Sequence, residues 1–113
     1  MTIDEKINFE KRGGLVPTVV QDYRTGEVLM LAYANKQALE TTLELRKATF
    51  WSTSRKEIWT KGLTSGSYMD IKEILYDCDG DALIYKVDPK GGACHTKDEH
   101  EESRRSCFFR KLL

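Results

Sequence analysis

The chain has 113 residues, with 18 Lys plus Arg against 18 Asp plus Glu, 40% hydrophobic and 32% charged residues. This length fits one domain, the composition is too apolar for disorder, and no apolar run approaches the roughly 18 residues that a membrane span requires. The zero net charge lacks the basic excess of a sequence-independent nucleic-acid binder, so the expected partner is a small molecule, with no nucleic acid and no membrane.

Residues 1–14 are polar and end at Gly13-Gly14, which predicts a loose arm or a short helix ahead of a single folded domain over 15–113. Leu15 to Gln21 and Glu27 to Tyr33 are rich in β-forming residues and flank Tyr23-Arg24-Thr25-Gly26, a pattern that predicts a hairpin. Asn35 is a suitable N-cap for a helix over Lys36 to Lys47, whose apolar stripe is Ala34, Ala38, Leu39 and Leu43. Thr49 to Thr53 and Glu57 to Lys61 read as a second hairpin, followed by a polar loop from Gly62 to Gly66. A third hairpin pairs Ile71 to Cys78 with Ala82 to Val87 across Asp79-Gly80. Lys97 to Arg105 reads as a solvated charged loop, and Cys107 to Arg110 as a last short strand. The fold class is α+β, mainly antiparallel β-sheet with one main helix.

Three cysteines cannot all pair within one chain, and Met1 to Glu10 carries no apolar stretch of the secretory type. The expected compartment is the reducing cytoplasm, where cysteines serve as metal ligands or nucleophiles more than as cross-links. Fifteen residues separate Cys78 from Cys94 and twelve separate Cys94 from Cys107, a spacing that matches no zinc-ribbon pattern; the sequence equally admits three unrelated buried thiols. If the three thiolates share a Zn²⁺ ion, its fourth position is left for water.

Asp77-Cys78-Asp79-Gly80-Asp81 sets three carboxylates at alternating positions. Asp79-Gly80 is explained as a turn, but crowding three like charges is unfavourable without a cation, and oxygen donors of this kind suit Mg²⁺. An EF-hand is excluded, because its glycine belongs at position six and a Glu at position twelve. His95, beside Cys94, is a candidate acid or base, whereas His100 lies in a charged run and reads as solvated. Ser52, Ser54, Arg55, Lys61, Thr64, Ser65 and Gly66 form a hydroxyl-rich, cationic set around Trp51 and Trp59, suited to binding phosphate.

In combination, Val28-Leu29-Met30-Leu31-Ala32-Tyr33 with Asn35, Phe50-Trp51-Ser52, Trp59-Thr60-Lys61-Gly62 with Thr64-Ser65-Gly66, Lys72-Glu73-Ile74, the aspartate-cysteine cluster, Ala93-Cys94-His95-Thr96 and Ser106-Cys107-Phe108 resemble the phosphoribosyl-AMP cyclohydrolase family of histidine biosynthesis. The resemblance runs from about Leu15 to Arg110. It implies an intertwined cytoplasmic homodimer with a zinc site shared between subunits. Cys78, Cys94 and Cys107 would be zinc ligands, and Asp77, Asp79 and Asp81 magnesium ligands. It also implies hydrolytic opening of the adenine ring of the nucleotide substrate at N1-C6. For that reaction His95, next to Cys94, is the expected base. Two departures stand out: Lys97 to Arg105 lengthens the link between the last two cysteines, and Thr53 stands where the family commonly has Arg, which moves the phosphate role to Arg55. Two other readings are a zinc-stabilised binding module without catalysis and a thiol enzyme using Cys94 with His95. Adjacent residues of an extended strand face opposite sides, which disfavours the second.

Overall fold

A computed structural model describes residues 2–113; Met1, at the start of the predicted arm, lies outside them. The elements in chain order are α1 (Ile3–Lys6), a 3-10 turn (Glu10–Arg12), β1 (Val16–Asp22), β2 (Val28–Ala34), α2 (Lys36–Leu45), β3 (Thr49–Ser52), β4 (Glu57–Thr60), β5 (Met69–Tyr76) and β6 (Leu83–Pro89). The strands form one sheet in the order β4-β3-β2-β1-β6-β5. Neighbouring strands pair antiparallel except β1 and β6, which run parallel from Thr18↔Leu83 to Asp22↔Val87. The expected α+β class is observed, with a mixed sheet in which antiparallel pairs predominate.

Alternation explains the central strand. In β1, Val16, Thr18, Val20 and Asp22 are buried while the intervening residues are partly covered, as a pleated strand with one packed face requires. β6 repeats the pattern with Leu83, Tyr85 and Val87. The ring of buried Phe50 on β3 lies 5.1 Å from that of Trp59 and 5.7 Å from that of Tyr85. Burying aromatic side chains of this size contributes about 2 to 3 kcal/mol each.

Helix α2 starts where predicted: Asn35 Oδ1 accepts a hydrogen bond from Ala38 N at 2.8 Å. Its last residue is Leu45, two short of the predicted end, and the cap residue Arg46 is left-handed with a φ of 59°. Its covered stripe is Ala38, Leu39 and Thr42, and Leu43 is 37% exposed rather than buried. Thr42 takes that place because its hydroxyl accepts from Thr49 N at 3.0 Å and lies 2.8 Å from the Ala38 carbonyl, so the polar group is satisfied inside.

The polar first residues are docked as short helical turns. Ile7 is buried, Ile3 and Phe9 pack against the core, and Asn8 N donates to the Gly80 carbonyl at 2.8 Å. Gly80 permits this approach: its φ is +70°, and a Cβ there would lie 2.3 Å from the Lys6 carbonyl oxygen. The last strand predicted at Cys107 to Arg110 is absent. Cys107 N donates to the Leu29 carbonyl at 2.8 Å, but the Ser106 hydroxyl then receives Phe108 N at 2.9 Å, turning the chain before a ladder can form.

Buried or half-buried carboxylates fasten the sheet's end. Asp88 binds Lys90 at 2.8 Å and Arg24 at 2.9 Å, and Asp70 binds Lys47 at 2.8 Å. Lys90 and Lys47 respectively are the main causes holding these two carboxyls below their ordinary range. Burial would raise Asp22, but hydrogen bonds from Arg24 N and Thr25 N, then Arg105, outweigh it and lower it too. A carboxyl depressed in the folded state stabilises the fold above its unfolded pKa and loses that stabilisation as pH falls through the folded value. The contribution of these three carboxyls to the unfolding free energy is therefore expected to be fully present above about pH 5 and to decline steadily below about pH 4. Denaturant titrations across that range check this, and an unchanged stability down to pH 2 would show that the pairs contribute nothing.

Candidate active site

The β5–β6 turn brings the three aspartates together: one carboxylate oxygen from each of Asp77, Asp79 and Asp81 lies within 4.8 Å of the others. The turn itself organises them. Asp77 Oδ1 accepts from Asp81 N at 2.9 Å and Ala82 N at 3.2 Å, so one of its oxygens closes the turn. Asp81 is buried, and Asp77 and Asp79 are exposed.

The repulsion expected in this cluster is relieved by the N-terminal residues. Lys11 Nζ lies 2.9 Å from Asp79 and 2.8 Å from Asp81, and Arg12 reaches Asp81 at 3.1 Å. Lys11 is the main cause holding Asp81 well below the usual carboxylate range, against the effect of burial, and its own pKa is raised in return. An ammonium thus stands where the sequence calls for a cation. The Lys11-Arg12 doublet before Gly13-Gly14 was the available signal for this contact, but nothing local to it indicates that it folds back onto residues 77–81.

Cys94 and Cys107 meet at the other end of β6. Segments 93–96 and 104–107 lie side by side: Ala93 N and Cys94 N donate to the Arg105 and Arg104 carbonyls at 3.1 Å each, and Arg104 N donates to the Thr96 carbonyl at 3.0 Å. Gly92 has to be small here, because a Cβ would lie 2.4 Å from the Ser103 carbonyl oxygen. The thiols are close enough to alter each other's ionisation. The Thr96 hydroxyl, 2.9 Å from Cys94 Sγ, is the main cause lowering the Cys94 pKa. Burial, then the neighbouring Cys94, raise that of Cys107, with Lys61 opposing them. Thr96 is a polar partner that sequence reasoning missed, although it immediately follows Cys94-His95.

Cys78 does not join this pair. It is exposed in the aspartate turn at the Leu83 end of β6, whereas Cys107 binds the backbone of Leu29 beside the opposite end of β1. A seven-residue strand spans about 20 Å, and among the described residues no group of three ligand atoms other than the aspartates forms.

A cleft of about 380 Å³ holds Arg55, Trp59, Lys61, Gly62, Thr64 and Ser65. Ser52 and Ser54 lie outside its lining but support it: their hydroxyls are 3.3 Å apart, and Arg55 N donates to Ser52 Oγ at 3.2 Å. Gly66 also lies outside the lining; its N–H donates to the Gly62 carbonyl at 2.7 Å and closes the loop. Lys61 connects the cleft to Cys107 through its electrostatic effect. His95 is exposed beside the buried Cys94. That arrangement opposes a Cys94 nucleophile activated by His95, because the sulfur contacts the Thr96 hydroxyl and the residue is 6% exposed.

The donor chemistry fits the implied ions: paired thiols, one of them biased towards thiolate, for a soft cation, and three clustered carboxylates for a hard one, which would have to displace the Lys11 ammonium. The fold and these side chains are those of a small α+β enzyme domain. Residues 30–109 match the family model described as phosphoribosyl-AMP cyclohydrolase. The chain is 51% identical to the phosphoribosyl-AMP cyclohydrolase of Clostridium botulinum over 98% of its own length and 96% of the relative's. It is 53% identical to the enzyme of that name from Nitrosopumilus maritimus, with the same coverage. It is also 55% identical, over 95% of its length, to the histidine biosynthesis bifunctional protein HisIE of Thermus thermophilus, of which it covers 47%. The chain belongs to the phosphoribosyl-AMP cyclohydrolase family.

Proposed function

We propose that the chain catalyses hydrolytic opening of the adenine ring of 1-(5-phosphoribosyl)-AMP, a step of histidine biosynthesis. The observation that carries this is the likeness, at about half identity over nearly the whole chain, to proteins named for that reaction. In the reaction one water adds its oxygen to C6, the N1–C6 bond breaks, and N1 takes up a proton. The exocyclic amine stays on C6 as a carboxamide, so no oxidant or second substrate is consumed.

Cys94 and Cys107 would hold Zn²⁺ together with Cys78 of a second copy, and Asp77, Asp79 and Asp81 would hold Mg²⁺ once Lys11 gives way. Zinc when bound supplies Lewis acidity that makes a water a better nucleophile at neutral pH. Three thiolates donate much charge to the ion, so a base is still needed, and His95 takes the proton from the attacking water. Arg55 and Lys61 offer positive charge to a substrate phosphate, with Thr64 and Ser65 donating hydroxyl hydrogen bonds. Ser52, Ser54 and Gly66 hold that loop in shape.

A homodimer with a shared site reconciles the separation of Cys78 from the other thiols. It is supported by the exposed apolar side chains of Leu31 and Tyr33 on β2 and of Phe108, next to Cys107, 48%, 44% and 61% accessible. Such a patch is a surface that a second copy would cover. Among the described residues no helix is long and apolar enough to cross a membrane; a cytoplasmic location is part of this proposal. The test is an absorbance assay with phosphoribosyl-AMP. Ring opening should occur with the zinc-loaded protein and stop on chelation; no absorbance change with zinc-loaded protein would overturn the assignment.

A further inference from the structure

The segment carrying Cys107 has few ties to the sheet. Cys107 N binds the Leu29 carbonyl at 2.8 Å and the Ser106 hydroxyl binds the Val28 carbonyl at 2.7 Å. After Cys107 no strand follows, and Phe108, Phe109 and the last two leucines are exposed. Two residues before Cys107, the Arg105 side chain crosses to the β1–β2 turn. Its Nη2 donates to Asp22 Oδ2, and its Nε donates to Glu27 Oε1 at 2.5 Å.

Asp22 is built to receive it. Its side chain is 3% exposed, and its other oxygen accepts from Arg24 N at 2.8 Å and Thr25 N at 3.3 Å. A carboxylate buried this fully, satisfied on one oxygen by its own turn, requires a cation on the other. The guanidinium's rigid fork fixes both position and angle through two acceptors. Arg105 also acts through its backbone: its carbonyl accepts from Ala93 N at 3.1 Å, next to Cys94. One residue therefore joins the turn of β1–β2 to both thiol-bearing segments.

We propose that Arg105 is a positioning residue for the Cys94–Cys107 pair, its clamp on Asp22 and Glu27 setting the separation at which the two sulfurs grip one metal ion. The inference rests on the reading of these cysteines as zinc ligands. Without the clamp, the segment 104–107 keeps its backbone partners but loses its only side-chain ion pairs to the sheet among the described residues, so the sulfur pair is held less firmly and zinc leaves faster. Groups that orient metal ligands from outside the coordination sphere commonly change affinity by 10- to 100-fold.

The experiment is the rate of zinc transfer from the loaded protein to a chromophoric chelator, with thermal unfolding measured in parallel. Arg105→Gln is expected to release zinc about 10- to 100-fold faster than the parent. Arg105→Lys, which keeps the charge but not the fork, should fall between them. Arg24→Gln removes an ion pair to Asp88 at the same end of the sheet that touches neither thiol segment, and serves as the control for a merely structural effect; its release rate should stay within twofold of the parent. If Arg105→Gln releases zinc at the parental rate, or if Arg24→Gln releases it equally fast, Arg105 does not position the thiols. A parental protein that binds no zinc would overturn the ligand reading itself, and the inference with it. Should Arg105→Gln fail to fold, the order of the parent, Arg105→Lys and Arg24→Gln decides the matter alone.

Discussion

Cys94→Ser is expected to lose stoichiometric zinc and, with it, ring opening. A serine hydroxyl nearly matches the thiol in size, so the packing around this 6% exposed side chain should survive. The hydroxyl does not ionise at neutral pH, whereas the Cys94 thiol is biased towards thiolate by Thr96. Replacing a soft, ionised donor by a hard, neutral one removes a ligand from a site with only three. Turnover should fall by a factor on the order of 10³ or more, since the nucleophilic water loses its activation. Full zinc content in the folded variant, by metal analysis, would remove Cys94 from the ligand set.

His95→Ala should behave differently: zinc retained, fold unchanged, turnover reduced. His95 is exposed, so its removal leaves no cavity, and thermal stability is expected to stay at the parental value. Loss of a positioned base commonly lowers turnover about 10²- to 10⁴-fold. Turnover within a few fold of the parent at neutral pH would show that another group accepts the proton.

Much of the local architecture is legible in the residues. Tyr23 to Gly26 and Asp79-Gly80 mark turns by their own chemistry, Asn35 caps the helix as its side chain predicts, and β-rich runs find their hairpin partners. These features depend on neighbours in sequence. The parallel pairing of β1 with β6 joins residues more than 60 positions apart, and no periodicity in either strand states it. Leu43 and Thr42 exchange places because Thr42 finds two backbone partners inside, a fact of tertiary context. The docking of residues 3–12 was hidden because only Ile3, Ile7 and Phe9 in that stretch are apolar, and their partners lie far along the chain.

The site follows the same division. The aspartate cluster is written within five consecutive residues and is assembled as its spacing implies. The cysteines are separated by long intervals, and the structure joins Cys94 with Cys107 while leaving Cys78 at the far end of β6. Lys11 against Asp79 and Asp81, and Arg105 against Asp22, are pairings of distant charges. In a chain with equal numbers of each sign, composition cannot say which charges meet.

The reading of this enzyme as a dimer with composite sites is tested most directly by mixing two inactive variants. Cys78→Ser and Cys94→Ser, each without activity alone, are unfolded together, refolded with zinc and assayed for ring opening. If Cys78 of one chain completes the Cys94–Cys107 pair of another, half of the dimers are mixed and each mixed dimer holds one intact site, so about a quarter of the parental activity should return. If all three cysteines of a site come from the same chain, every site in the mixture lacks a ligand and no activity returns.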